Sequence, residues 1–103
     1  MDGDIFEGEW LLDKASGYGV YLHANGARYE GYWHSDLQDG YGVESWTDGA
    51  RYEGYYKLGQ KHGQGTYSWA DGSVYEGDWF DNKISGKVYS IHIIHDLGFI
   101  PLG

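Results

Sequence analysis

Large aromatic side chains alternate with small or charged ones along most of this chain, in the period-two pattern typical of β-strands. In the stretch at 29–33, Tyr29, Gly31 and Trp33 fall on one face of a strand, while Glu30 and Tyr32 fall on the other. Asn-Gly and Asp-Gly pairs separate such stretches and are strong signals for tight hairpin turns. The pattern therefore predicts an all-β fold of short antiparallel strands.

The alternating stretches recur every 23 residues without an insertion. An aromatic-Glu-Gly triplet marks each copy, and its aromatic residue is Phe6, Tyr29, Tyr52 or Tyr75. One set of turns is expected at Asp13, Asp36, Gly59 and Asn82. A second set, expected to be of type I′, falls at Asn25-Gly26, Asp48-Gly49 and Asp71-Gly72. Each copy then supplies about two strands, and the whole chain a meander of seven or eight.

One face of the predicted sheet gathers twelve of the nineteen aromatic residues, including all five tryptophans, and is called the ring face below. Its aromatic residues are Phe6, Trp10, Tyr21, Tyr29, Trp33, Trp46, Tyr52, Tyr56, Tyr67, Trp69, Tyr75 and Trp79. The repeated glycines fall on the same face, where a missing side chain leaves room for a ring of the neighbouring strand to cover the backbone. We therefore expect each repeat to be stabilised by its neighbour. The opposite face is mainly polar and is expected to be solvated.

The pattern YEGYW…DGYG…DGARYEG, over about residues 4–88, resembles the MORN repeat, a short β-hairpin unit that occurs in tandem arrays. The resemblance implies an elongated single-layer antiparallel meander of MORN-repeat hairpins. It places an array at residues 1–88, with repeats near 6–28, 29–51 and 52–74 and a partial repeat at 75–88. Residues 89–103 form a divergent C-terminal segment.

The net charge is −9, from sixteen acidic and seven basic residues. This excess argues against nucleic acid as a partner and against binding anionic lipid by charge alone. The absence of cysteine excludes disulfides and thiolate zinc sites, and it agrees with a cytoplasmic location. The first ten residues are acidic and lack the apolar run of a signal peptide.

The sequence contains no coherent catalytic site. Its periodic carboxylates are expected in turns and on the surface, and its serines lack a nucleophile elbow. The glycine-rich stretches lack the lysine and following helix of a phosphate loop. His92 and His95 form the one close histidine pair, but on a strand their rings would point to opposite faces. We predict no catalytic residues, no metal and no cofactor.

The segment at 89–103 is more apolar than the repeats and lacks their turn and triplet signals. Three alternatives remain open for it. It folds back as a cap, it forms a homodimer contact, or it is a disordered end. The resemblance supports the second alternative, because MORN arrays often dimerise through a terminal repeat.

The ring face is the candidate site, because a single-layer sheet has no second layer to bury its rings. We predict a non-enzymatic scaffold or adaptor that binds a protein partner, either a peptide or an amphipathic helix. The predicted partner-binding residues are Trp10, Trp33, Trp46, Tyr52, Tyr56, Tyr67, Trp69, Tyr75 and Trp79. The resemblance implies a role in organising cytoskeletal or membrane-adjacent structures, with indirect membrane association. The alternative it implies is an N-terminal regulatory or membrane-targeting module of a larger enzyme, such as a phosphatidylinositol phosphate kinase or a lysine methyltransferase.

Overall fold

A computed structural model describes residues 3–95 and 98–102, with the side chains of residues 3–85. Its regular structure is one open antiparallel sheet in which each strand pairs with the next along the chain. The strands are Ile5–Leu11 (β1), Lys14–Leu22 (β2), Arg28–His34 (β3), Leu37–Ser45 (β4), Arg51–Lys57 (β5), Gln60–Ser68 (β6), Val74–Phe80 (β7), Lys83–His95 (β8) and Gly98–Leu102 (β9). The described residues contain no helix that could cross a membrane. The all-β class and the single-layer meander predicted from the sequence are confirmed.

The sheet is elongated, and its Cα atoms extend over 50 × 28 × 17 Å. Strands β1 to β8 form the four hairpins expected from the repeats. Strand β9 continues the sheet by pairing with β8, from His95 opposite Gly98 to Ile91 opposite Leu102. This pairing does not fit the disordered end considered for residues 89–103. The cap and the homodimer contact both stay predictions.

The two sets of turns differ from the expectation in one respect. The tight two-residue turns lie between β1 and β2, β3 and β4, β5 and β6, and β7 and β8. Both residues have positive φ there, for example 48° at Ser35 and 71° at Asp36, the combination of a type I′ turn. The predicted left-handed residues at Asp13, Asp36, Gly59 and Asn82 are confirmed.

The prediction of type I′ turns at the Asn-Gly and Asp-Gly pairs was wrong. In those longer loops only the glycine has positive φ, for example 101° at Gly26. The Asn25 side chain instead accepts a hydrogen bond from the N–H of Ala27, at 2.9 Å. Asp48 and Asp71 accept the same bond from Ala50 and Ser73. This local bond satisfies the loop without a left-handed conformation at the residue before glycine.

The tight turns of the second, third and fourth repeats also bond to the preceding repeat, and we call these contacts clasps. The N–H of Asp36 donates to the carbonyl of Ala15 at 2.9 Å, and Asp36 Oδ1 accepts from the N–H of Ala15 at 2.7 Å. Asn82 makes the same pair of bonds with Lys61. Gly59 makes only the backbone bond, to the carbonyl of Gln38 at 2.8 Å, because it has no side chain. These clasps tie successive hairpins together.

Eight aromatic rings of the ring face form a continuous chain of edge-to-face contacts, which we call the ring chain. Within each repeat the triplet aromatic meets the ring four residues later, as Tyr29 meets Trp33 with centroids 5.1 Å apart. Between repeats the same aromatic meets the equivalent ring of the next copy, as Tyr29 meets Tyr56 at 5.2 Å. The ring chain runs through Trp10, Phe6, Trp33, Tyr29, Tyr56, Tyr52, Trp79 and Tyr75. Edge-to-face contact places the positive edge of one ring against the negative face of the next, and it joins each repeat to its neighbour.

The expectation that rings cover glycine backbone is confirmed. A Cβ atom on Gly42 would lie within 3.0 Å of three atoms of the Tyr29 side chain, on the adjacent strand. Gly31 and Gly42 also face each other across the strand pair, so closely that a Cβ on Gly31 would meet the Cα of Gly42 at 2.5 Å. Glycine at both positions therefore allows the strand backbones and the ring to pack in direct contact.

Candidate partner-binding face

The structure places all nine predicted partner-binding residues on the ring face, but it buries them to different degrees. Tyr52, Tyr56, Tyr75 and Trp79 are buried and form the core together with Tyr29. Trp33, Trp46 and Tyr67 are half-buried and pack against that core. Trp10 and Trp69 are exposed, with 59% and 39% of their surfaces accessible. The buried rings therefore form the floor of the face, and the less buried rings form its surface.

Hydrogen bonds fix the orientation of the floor. The hydroxyl of Tyr52 donates to the carbonyl of Tyr55 at 2.9 Å, and Tyr29 and Tyr75 make the equivalent bond to the residue three positions later. The indole N–H of Trp33 donates to the carbonyl of Gly19 at 3.1 Å, and that of Trp79 to Gly65. Burial raises the pKa of the Tyr52 hydroxyl. The polar atoms of these rings thus bond to backbone carbonyls within the sheet.

A lysine from the chain itself occupies part of this face. Lys61 Nζ lies over four rings, 5.4 Å from the centroids of Trp46 and Tyr52, 5.8 Å from Tyr67 and 5.9 Å from Trp79. These rings are called the Lys61 cage. Distances below about 6 Å give favourable cation–π attraction. Desolvation by the cage lowers the pKa of Lys61, while the nearby Glu44 carboxylate opposes this shift. The ring face therefore already binds one ammonium group.

A cavity of about 260 Å³ opens on the ring face one repeat earlier. It is called the Gln38 cavity and is lined by Tyr21, His23, Tyr29, Trp33, Asp36, Leu37, Gln38 and Gly59. The Tyr21 and His23 rings form one wall, with centroids 4.6 Å apart. Four of its eight lining residues carry rings, and Asp36 contributes a carboxylate.

Carboxylates surround this part of the ring face. Asp4 Oδ2 accepts a hydrogen bond of 2.7 Å from the hydroxyl of Tyr21, and Asp4 Oδ1 accepts one of 2.8 Å from the N–H of Ala24. The bond from Tyr21, followed by that from Ala24, holds the pKa of Asp4 below its usual value. Glu44 Oε1 accepts a bond of 2.6 Å from the hydroxyl of Tyr56. The potential at this face thus favours cations.

The opposite face has its polar groups paired with one another. The hydroxyl of Tyr41 donates to Glu53 at 2.7 Å, and Arg51 lies 3.2 Å from the same carboxylate. Tyr18, Glu30 and Arg28 form the equivalent arrangement one repeat earlier. The bond to Glu53 raises the pKa of Tyr41 to about 12. A cavity of about 330 Å³ on this side is lined by Glu53, Glu76 and glycine backbone as well as tyrosine. Its polar lining and the paired Glu53 carboxylate distinguish it from the ring face.

Sequence reasoning located the rings but missed the cage and the cavity. The available signal was the second residue of the second strand of each hairpin, which is Ala15, Gln38, Lys61 or Ile84 in successive repeats. In the part of the chain with described side chains, no three His, Asp or Glu residues converge as metal ligands would. The side chains of His92 and His95, which the sequence argued against as a metal pair, lie outside that part.

A family model described as MORN repeat matches this chain at residues 6–28, 29–51, 52–74 and 75–87. The matched segments share the 23-residue period and agree with the boundaries predicted for the first three repeats. They cover most of the chain. No curated protein matches it.

Proposed function

We propose, from the premise that this chain belongs to the MORN-repeat family, that it is a non-enzymatic scaffold whose ring face binds a basic peptide segment of a partner protein. The matched family is a non-catalytic repeat type. We also propose a cytoplasmic setting, in a cytoskeletal or membrane-adjacent structure.

The observation that carries this proposal is the exposure of large rings on a rigid floor. Trp10 and Trp69 are exposed, and Trp33, Trp46 and Tyr67 on the same face are half-buried. Aromatic side chains held by a preformed surface are typical anchors for a protein partner, because little side-chain freedom is lost on binding.

The charge of the face indicates the chemistry of that partner. Asp4 and Glu44 are held there by hydrogen bonds from tyrosine hydroxyls. The chain as a whole carries a net charge of −9. Complementary charge accelerates association and disfavours acidic competitors. A lysine-rich segment therefore fits the ring face better than an acidic or purely apolar one.

Affinity capture followed by mass spectrometry tests this proposal. The bait is the full chain, compared with a Trp10→Ala, Trp69→Ala variant that removes two exposed rings of the ring face. The matched control is Tyr32→Ala, Tyr55→Ala, which removes two rings of the opposite face, where each is about half exposed (49% and 50%).

We expect the first variant to lose partners that the control retains, and we expect the recovered partners to bind through segments rich in lysine. Equal capture by both variants would overturn the ring face as the site.

A vesicle flotation assay tests the rival use of the same face. The net charge predicts that vesicles of anionic phospholipid leave the protein in the dense fraction. Flotation that is lost in the Trp10→Ala, Trp69→Ala variant would replace the protein partner by a membrane surface.

A further inference from the structure

Two successive repeats have different side chains at one equivalent position. Lys61 is the second residue of β6, in the third repeat, and Gln38 is the second residue of β4, in the second repeat, 23 residues earlier. Lys61 extends into its cage, where Trp46 and Tyr52 are the nearest rings. Their counterparts 23 residues earlier are His23 and Tyr29, and both line the cavity beside Gln38. The Gln38 cavity is therefore built from the same positions as part of the Lys61 cage.

The difference in side chain explains why one place is filled and the other open. A glutamine side chain is shorter than that of lysine and carries no charge, so it leaves about 260 Å³ of space among the rings. This space exceeds the roughly 30 Å³ share of one water several times over. It can admit the end of an alkylammonium chain.

Carboxylates in and near the cavity also favour a cation. The position that Tyr67 occupies in the Lys61 cage is taken, 23 residues earlier, by Glu44. Asp36 lines the Gln38 cavity itself, and Asp4 is bonded to Tyr21 in its wall. An ammonium group entering the cavity would find aromatic faces beside it and carboxylates close by.

We propose that the Gln38 cavity binds the ammonium group of a lysine side chain from the partner protein, in the manner in which the Lys61 cage holds the chain's own lysine. This inference rests on the proposed function and names the group that the ring face recognises. It also assigns Gln38 as the residue that keeps the site open.

Titration followed by the indole N–H resonances of the isotopically labelled full chain tests this inference. The probe is lysine acetylated at its α-nitrogen and capped as the methylamide, and the matched control is the same derivative of norleucine, which keeps the stem without the ammonium. Trp33 reports on the site because its indole lines the cavity and donates to Gly19. We expect the lysine probe to shift the Trp33 resonance saturably, at concentrations at least about tenfold below those needed for norleucine.

Exchanging the residues of the two repeats gives two opposite variants. In Gln38→Lys the new side chain should fill the cavity from within and abolish the response of Trp33. In Lys61→Gln the cage should open, so that Trp46 and Trp79 respond to the lysine probe while the response of Trp33 persists. Each substitution installs a residue already present at the equivalent position of a neighbouring repeat. Unchanged resonances elsewhere in each spectrum would verify folding.

Equal responses to lysine and norleucine, or a Trp33 response that survives Gln38→Lys, would overturn the inference. The proposed function fails separately. If partner capture requires Trp10 and Trp69 but is unaffected by Gln38→Lys, the ring face still binds the partner and only the ammonium site is wrong.

Discussion

The Tyr52 ring packs against the bare Cα of Gly65 on the neighbouring strand, so that a Cβ atom on Gly65 would fall within 3.0 Å of three atoms of that side chain. Gly65 itself faces Gly54 across the strand pair. A Cβ on Gly54 would lie 2.6 Å from the carbonyl oxygen of Gln64 and also overlap the Cα of Gly65. The two glycines thus leave room for the Tyr52 ring to lie directly on the strand backbone.

We predict that Gly54→Val is strongly destabilising, by about 3 kcal/mol or more, because the added atoms meet backbone that cannot rotate away. The matched control is Glu53→Ala, which removes a partly exposed hydrogen bond and ion pair and should cost at most about 1 kcal/mol. Urea unfolding measures both. Similar midpoints for the two variants would contradict the packing of rings on glycine.

Gly59 offers a stabilising substitution. Its N–H bonds the carbonyl of Gln38, but the second bond of the clasp, made by Asp36 and Asn82 at the equivalent positions, is missing. Gly59 already has φ 85°, and a Cβ there would meet only Leu37, at an ordinary 3.5 Å. Gly59→Asn should therefore raise the free energy of unfolding by about 0.5–1.5 kcal/mol.

Gly59→Ala is the control for this substitution, because it has the same left-handed backbone without the side-chain acceptor, and it should be destabilising by about 1 kcal/mol. Thermal or urea unfolding of both variants checks the difference. If asparagine were no better than alanine, the side-chain bond would contribute nothing to the joint between repeats.

Stability should fall steeply above pH 10. Burial is the main cause that raises the pKa values of Tyr29, Tyr52 and Tyr56 above the ordinary 10. In that range the unfolded chain loses these protons and the folded chain keeps them, so the folded state binds more protons and stability declines as pH rises. Three such groups give a slope of about −4 kcal/mol per pH unit.

We therefore expect cooperative unfolding within roughly two to three pH units above 10. The absorbance of the tyrosinates that form last should rise as the circular dichroism of the β-sheet is lost. Tyr52→Phe should remove about 1.4 kcal/mol per pH unit from the slope, whatever it does to stability at neutral pH. Complete ionisation of tyrosine in a protein that retains its sheet would contradict the buried hydroxyls.

The C-terminal segment should act within its own chain. Because the backbone of β9 pairs with β8 of the same molecule, we expect the full chain to scatter light as a monomer at all concentrations. Removal of residues 89–103 should then leave a monomer of lower stability. A mass that rises with concentration, and that returns to the monomer value on this truncation, would establish the homodimer contact instead.

The sequence predicted the strands and their faces because the structural rule is local. Alternation places Tyr29, Gly31 and Trp33 on one side whatever the neighbouring repeat does, and the glycine beside each ring marks the packing. The fold class, the repeat period and the ring face followed from this alone.

What the sequence did not predict depends on contacts between repeats or on small differences within loops. Asn25-Gly26 has the residue types typical of a type I′ turn. The loop length and the bond from the N–H of Ala27 to the Asn25 side chain select another conformation. Tyr52 and Trp69 belong to the same face, yet one is fully buried and the other partly exposed. That difference arises because Tyr52 also contacts Trp79 of the next repeat, which no local pattern encodes.

The joints between repeats are built alike, with a ring contact on one face and a turn clasp at the edge. A duplicated repeat would therefore already carry the residues that pack against its neighbour. The array could lengthen by duplication without evolving a new interface. Individual positions such as 38, 59 and 61 could then diverge in single copies, as they have here. The shared contacts keep the repeats alike in fold, while these few positions allow a single repeat to acquire its own binding properties.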